Sequence, residues 1–206
     1  MNSAESIELG GESLDMAAIS NLSFQLLAEQ PGLHRDEMEV ILYPEIRHQE
    51  FEAIGGSFNE IGGKIIAENL PDDLRAELMH KLFSKEEANL SFCRIPMGAS
   101  DFALDEYSLN DHEDDFEMEH FSTERDEKYL IPYIKAAQSE NSDLRFHASP
   151  WSPPGWMKVN DSMLNGQSLR DEPEVYRALA LYFVRFYESY KKHGIDIERF
   201  MIQNEG

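Results

Sequence analysis

Three stretches of the chain carry residue types that could act on a small polar molecule. FMIQNEG, 200–206, runs an apolar, strand-like segment into Gln203, Asn204 and Glu205. A carboxylic acid held at a strand end can serve as general acid for breaking a glycosidic bond, and a neighbouring Asn can donate to a sugar hydroxyl. Such hydrolysis normally uses two carboxyls, about 5 Å apart when configuration is retained. The competing role for Glu205 is a solvated terminal glutamate. RIPMGASD, 94–101, sets Arg94 between Cys93 and Ile95 and ends on Asp101. A buried guanidinium must find a carboxylate. Arg94 is therefore expected to order acidic groups, and Asp101 to bind hydroxyls, unless Arg94 simply reaches solvent. ASPWSPPGWMK, 148–158, holds both tryptophans of the chain, Trp151 and Trp156, in a Pro/Gly-rich loop. Rigid aromatic faces at a pocket mouth stack on the apolar faces of sugar rings. Packing beneath the loop is the alternative, more so for Trp156 than for Trp151.

Other chemistries are excluded or disfavoured. The formal charge is −22, from 40 acidic against 18 basic residues. That field repels phosphate backbones and anionic lipid surfaces, so nucleic acid is not an expected partner. The single cysteine, Cys93, permits no internal disulfide and no Cys-based zinc site, and its apolar neighbours mark it as a small buried hydrophobe. Segment 101–127 holds 12 Asp plus Glu and one basic residue, Arg125. Its DHEDD run, 111–115, fails the calcium-loop pattern of an EF-hand, so it reads as a solvated loop long enough to rim a site. The seven histidines form no HExxH and no close cluster. No metal and no cofactor are expected. No run approaches the ~18 apolar residues of a membrane span. Glu5, Glu8, Glu12 and Asp15 precede the first basic residue, Arg35, which is not how a secretory leader begins.

The elements that must hold these residues follow from the hydrophobic pattern. Residues 1–37 read as an acidic extension, and 38–50 as a lead-in carrying the strand candidate MEVILYP, 38–44. From 51 onward strands alternate with helices. Strand candidates fall at 51–58, 90–97, 144–149 and 195–203, and helix candidates at 71–83, 131–138 and 173–194. In the last helix Val175, Leu179, Tyr182, Phe186 and Tyr190 share one face. In the first, Leu74, Leu78 and Leu82 recur every four residues. Such alternation implies βαβ units and a parallel sheet. Each strand closes on polar or aromatic residues: Asn59 and Glu60; Arg94 and Asp101; Ser149 and Trp151; Asn204 and Glu205. In a (β/α)8 barrel those ends form the face that carries the active site. An open doubly wound sheet would also fit, but GGSFNEIGG, 55–63, matches neither GxGxxG nor the P-loop. Four strand units are half of a barrel, which typically needs about 250 residues.

Taken together, VILYPEIRHQEFEAIGGSFNE, RIPMGASDFALDEYSLND, DDFEMEHFS, HASPWSPPGWMK and the closing QNE resemble glycoside hydrolase family 30 of clan A. This family includes glucosylceramidases and β-1,6-glucanases. The resemblance runs from about residue 38 to the end. It implies a TIM barrel with a β-sandwich side domain, and retaining hydrolysis of a β-glycoside or glycolipid through a covalent glycosyl-enzyme. By motif, Glu205 resembles the acid/base, Asn204 the partner of the 2-hydroxyl and Arg94 the active-site arginine, while Asp101 and Trp151 resemble sugar-binding positions. Gly206 stands where the family usually has proline, and AIGG, 53–56, where it often has GFGG. The nucleophile belongs to a seventh strand. The chain is therefore expected to be the first half of a longer enzyme, inactive alone. β-Glucosides are the favoured substrates over β-1,6-glucan and β-xylosides. A non-catalytic carbohydrate-binding protein and a fragment with no stable fold are the competing readings.

Overall fold

The structure is a computed structural model and describes residues 46–47 and 49–204. The chain divides after Phe51, and every element described here belongs to the unit that begins at Glu52. The extension 1–37, the strand candidate 38–44 and Glu205 lie outside the described residues. In order, the elements are α1 Glu60–Asn69, α2 Asp72–Phe83, β1 Phe92–Pro96, α3 Leu130–Glu140, β2 Arg145–Ser149, a 3-10 turn Gly155–Met157, α4 Pro173–Lys192 and β3 Arg199–Phe200.

The strands run parallel in the order β1-β2-β3, with Arg94 paired to His147 and His147 to Arg199. Residues 54–58 lie along the other edge of β1. Arg94 N–H donates to Gly56 O at 2.9 Å, Phe58 N–H donates to Arg94 O at 2.9 Å, and Ser57 bridges Arg94 in the parallel sense. The four expected strand positions thus lie side by side, as parallel strand–helix units of a partial barrel. The outer two are shorter than the sequence predicts. The first reduces to a single bridge and the last to Arg199–Phe200.

Alternation along the strands separates two faces. Cys93, Ile95, Phe146 and Ala148 are buried beneath the helices. Phe58 stacks on Phe83 and meets Tyr133 and Phe146. The predicted stripe of α4 is buried from Val175 through Tyr190, and Gly194 ends the turn at φ +73°. In α2 the stripe is displaced. Met79 and Phe83 are buried while Leu74 is exposed, because the helix packs through residues one position on from the leucine repeat. The opposite face of the sheet carries Phe92, Arg94, Arg145, His147 and Arg199. Arg145 and Arg199 cover the Phe92 ring at 4.7 and 5.1 Å and share Glu52 and Glu198.

α1 departs from the sequence reading, which treats Asn59 and Glu60 as strand-end groups. The Asn59 carboxamide accepts from Gly62 N–H at 2.7 Å and caps α1. Glu60 is buried and takes both arms of Arg125 at 2.9 and 3.0 Å, besides accepting from Leu104 N–H. Glu60 thus holds the acidic loop to α1, while Asn59 serves as the helix cap.

Candidate active site

The C-terminal ends of the three strands meet through main-chain bonds. Met97 N–H donates to Ser149 O at 3.1 Å and Asn204 N–H to Pro150 O at 3.0 Å. β1 leaves the sheet at Gly98. This residue has φ +85°, and a side chain there would also come within 3.1 Å of Tyr107 O. The turn carries Asp101 outward over the strand ends. Asp101 is exposed, and with Ser100, Ala103, Trp151, Met163 and Leu164 it lines a pocket of about 330 Å³. The Trp151 indole N–H is buried and has no hydrogen-bond partner among the described residues. A donor left this way at a pocket wall suits a ligand oxygen.

Arg94 lies in the strand row that faces away from the helices. Its guanidinium donates to Asn204 Oδ1 at 2.7 Å, joining positions 110 residues apart in sequence. This contact fixes the carboxamide one peptide bond before Glu205. His147 stands beside Arg94 in register. Burial, then the positive charges of Arg94 and Arg199, hold its imidazole below the usual histidine range and so disfavour its charged form. His147 was not among the sequence candidates. The only signal for it was a polar residue at an inward position of an apolar strand.

The two tryptophans separate. Trp156 is buried, donates its indole N–H to Asn110 O at 2.9 Å and meets Phe116 edge-on. It ties its loop to the acidic segment and does not line the Asp101–Trp151 pocket. The acidic segment is itself anchored from within. Tyr107, Leu109, Met118 and Thr123 are buried, and most of its carboxylates are exposed, as expected of a rim. Asp126 is fully buried between two tyrosine hydroxyls. Among the described residues, no group of His, Cys, Asp and Glu is arranged to hold a metal ion. No helix among the described residues is long and apolar enough to cross a membrane.

The comparisons agree on one family. The Glycosyl hydrolase family 30 TIM-barrel domain matches residues 51–206. A Caenorhabditis elegans protein provisionally named glucosylceramidase 3 is 33% identical over 94% of this chain and 37% of its own length. The crystal structure of SrfJ from Salmonella typhimurium superposes with a TM-score of 0.71 at 34% identity, over 76% of this chain and 34% of that one. An endo-β1,6-glucanase superposes with a TM-score of 0.67 at 29% identity, over 79% of this chain and 37% of its own. The chain spans about a third of the length of these relatives. With the parallel strand–helix units and the strand-end groups already described, this match makes the chain a member of glycoside hydrolase family 30.

Proposed function

We propose that this chain supplies the acid/base side of a retaining β-glycosidase that acts on β-glucosides. The observation that carries the reading is the 2.7 Å bond from Arg94 to Asn204, beside a pocket walled by Asp101 and Trp151. Trp151 offers its ring face to the sugar, Asp101 accepts from its hydroxyls, and Trp156 supports their loop from beneath. Asn204 contacts the 2-hydroxyl next to the anomeric carbon.

Glu205 gives its proton to the glycosidic oxygen as a carboxylate bonds the anomeric carbon, and the aglycone leaves as an alcohol. Water then attacks that carbon, passes its proton to Glu205, and releases both the sugar and the carboxylate. The nucleophilic carboxylate is assigned to no residue among 1–206. Since the two carboxyls act as a unit, residues 1–206 bind sugar without turning it over.

The test is a calorimetric titration of the chain with n-octyl β-D-glucoside and with gentiobiose. The glucoside is expected to bind, and Trp151→Ala to weaken it by at least about tenfold, the equivalent of ~1.4 kcal/mol. Binding unchanged in Trp151→Ala would overturn the assigned site, and preference for gentiobiose would move the substrate to β-1,6-glucan. Turnover of an aryl β-glucoside that vanishes in Glu205→Gln would overturn the expected inactivity.

A further inference from the structure

Lys158 is an unusual group in this molecule. It is 1% exposed, although it follows directly on the loop that carries both tryptophans. No carboxylate pairs with it among the described residues. Its ammonium donates to Ser152 Oγ at 3.1 Å and reaches the Met163 carbonyl at 3.5 Å. Burial alone lowers its pKa. A buried amine without a counter-charge costs free energy, so the polar atoms it meets must be well placed to hold it.

One acceptor residue, Met163, lines the Asp101–Trp151 pocket together with Leu164 and Trp151. The other, Ser152, follows Trp151 in sequence. The segment 157–170, which contains Met163, returns on itself through Val159 N–H to Ser168 O at 3.1 Å and Arg170 N–H to Met157 O at 2.9 Å. It includes Asp161, Asn165 and Gln167 at positive φ. Residues in such conformations persist only where surrounding contacts hold them. The amine ties this segment to Ser152. Ser152 in turn donates to Pro153 O, so the hydroxyl is already oriented to accept from Lys158.

We infer that Lys158 is a positioning residue for sugar binding, a buried cationic cross-tie that fixes the Trp151–Ser152 turn relative to Met163 and so holds the shape of the pocket they line. The inference rests on the sugar-site reading of the Asp101–Trp151 pocket. Ser152 and Lys158 are both too buried to meet a substrate, so the pair does not act as a nucleophile and base.

The test compares the chain with Lys158→Met, Lys158→Arg and the surface control Lys85→Met. Three readouts are taken: the Kd for n-octyl β-D-glucoside, iodide quenching of indole fluorescence and the melting temperature. Quenching reports Trp151, because Trp156 is buried. Lys158→Met is expected to weaken binding by about tenfold, the equivalent of one charge-assisted hydrogen bond, and to raise quenching, with a melting temperature within a few degrees. Lys158→Arg keeps the charge and should recover part of the affinity, though the wider guanidinium does not fit the same space. Lys85→Met should change neither affinity nor quenching. If Lys158→Met does not fold, Ser152→Ala removes the acceptor alone and carries the same expectation. Unchanged affinity and quenching in these variants, with the parent binding the glucoside, would overturn the cross-tie and leave the sugar site standing. A parent that binds no glucoside would overturn both.

Discussion

Gly55→Ala is expected to destroy the cooperative fold of this chain, while Gly56→Ala leaves it nearly intact. A Cβ at position 55 would sit 1.7 Å from Phe92 O and 2.5 Å from Phe92 C, and both are backbone atoms that no side-chain rotation can move aside. Relief requires pulling residues 54–58 off β1. That breaks the bonds from Ser91 N–H to Ile54 O, from Arg94 N–H to Gly56 O and from Phe58 N–H to Arg94 O. It also draws the buried Phe58 away from Phe83, Tyr133 and Phe146. Lost main-chain bonds and a withdrawn core aromatic together should cost more than about 4 kcal/mol. At Gly56 the nearest atom to an added Cβ is Leu90 Cδ1 at 3.7 Å, an ordinary contact. Replacement there should stay within about 1 kcal/mol. Urea unfolding followed by circular dichroism separates the two. Equal midpoints for both variants would show that the 54–58 run does not pack on β1.

That contrast was not legible in the sequence, where Gly55 and Gly56 are simply neighbours. The alternation of strands and helices was legible, because each carries its own period of apolar residues. The α4 stripe from Val175 to Tyr190 was read residue by residue. Arg94 is legible because a charged residue in the apolar run FCRIP is anomalous; its bond to Asn204, beyond the end of β3, is a long-range contact that leaves no local pattern. α1 was missed. Gly62 and Gly63 lower its intrinsic propensity, and the helix forms for a tertiary reason: at Gly63 an added Cβ would come within 2.7 Å of Tyr129 O, so only glycine allows that approach. The division of labour between Trp151 and Trp156 depends on which ring turns inward, and composition around the two is alike. Long-range polar pairs such as Glu60 with Arg125 leave no local pattern at all.

Asp126 is the second of these hidden partners, and it should make the chain more stable as pH falls from 7 to 4.5. Its carboxylate accepts from Tyr107 Oη at 3.0 Å and from Tyr190 Oη at 2.7 Å, pinning the acidic segment to α4. Burial outweighs these two bonds and pushes its pKa from 3.8 up to about 6, with the charge of Glu60 adding to the rise and Arg125 opposing it. The folded state therefore holds a proton that the unfolded chain releases. A raised pKa contributes stability that is fully present below the unfolded value and is lost as pH rises through the folded one. Between pH 7 and 4.5 the gain is about 2 kcal/mol. Other carboxylates act in the opposite sense but lower on the scale. Asp115, for instance, is held down to about 2 chiefly by the main-chain N–H groups of His120 and Glu119, despite partial desolvation, so its contribution disappears only in stronger acid. Acid also relieves the self-repulsion of a chain at −22, which stabilises any variant alike. The informative quantity is thus the difference from Asp126→Asn, which keeps a polar group between the tyrosines but takes up no proton. Denaturant midpoints of the two proteins, measured from pH 7 to 4.5, should diverge in favour of the parent by about 2 kcal/mol. Parallel curves would mean that Asp126 is solvated and that the acidic segment is not anchored through the tyrosines of its own loop and of α4.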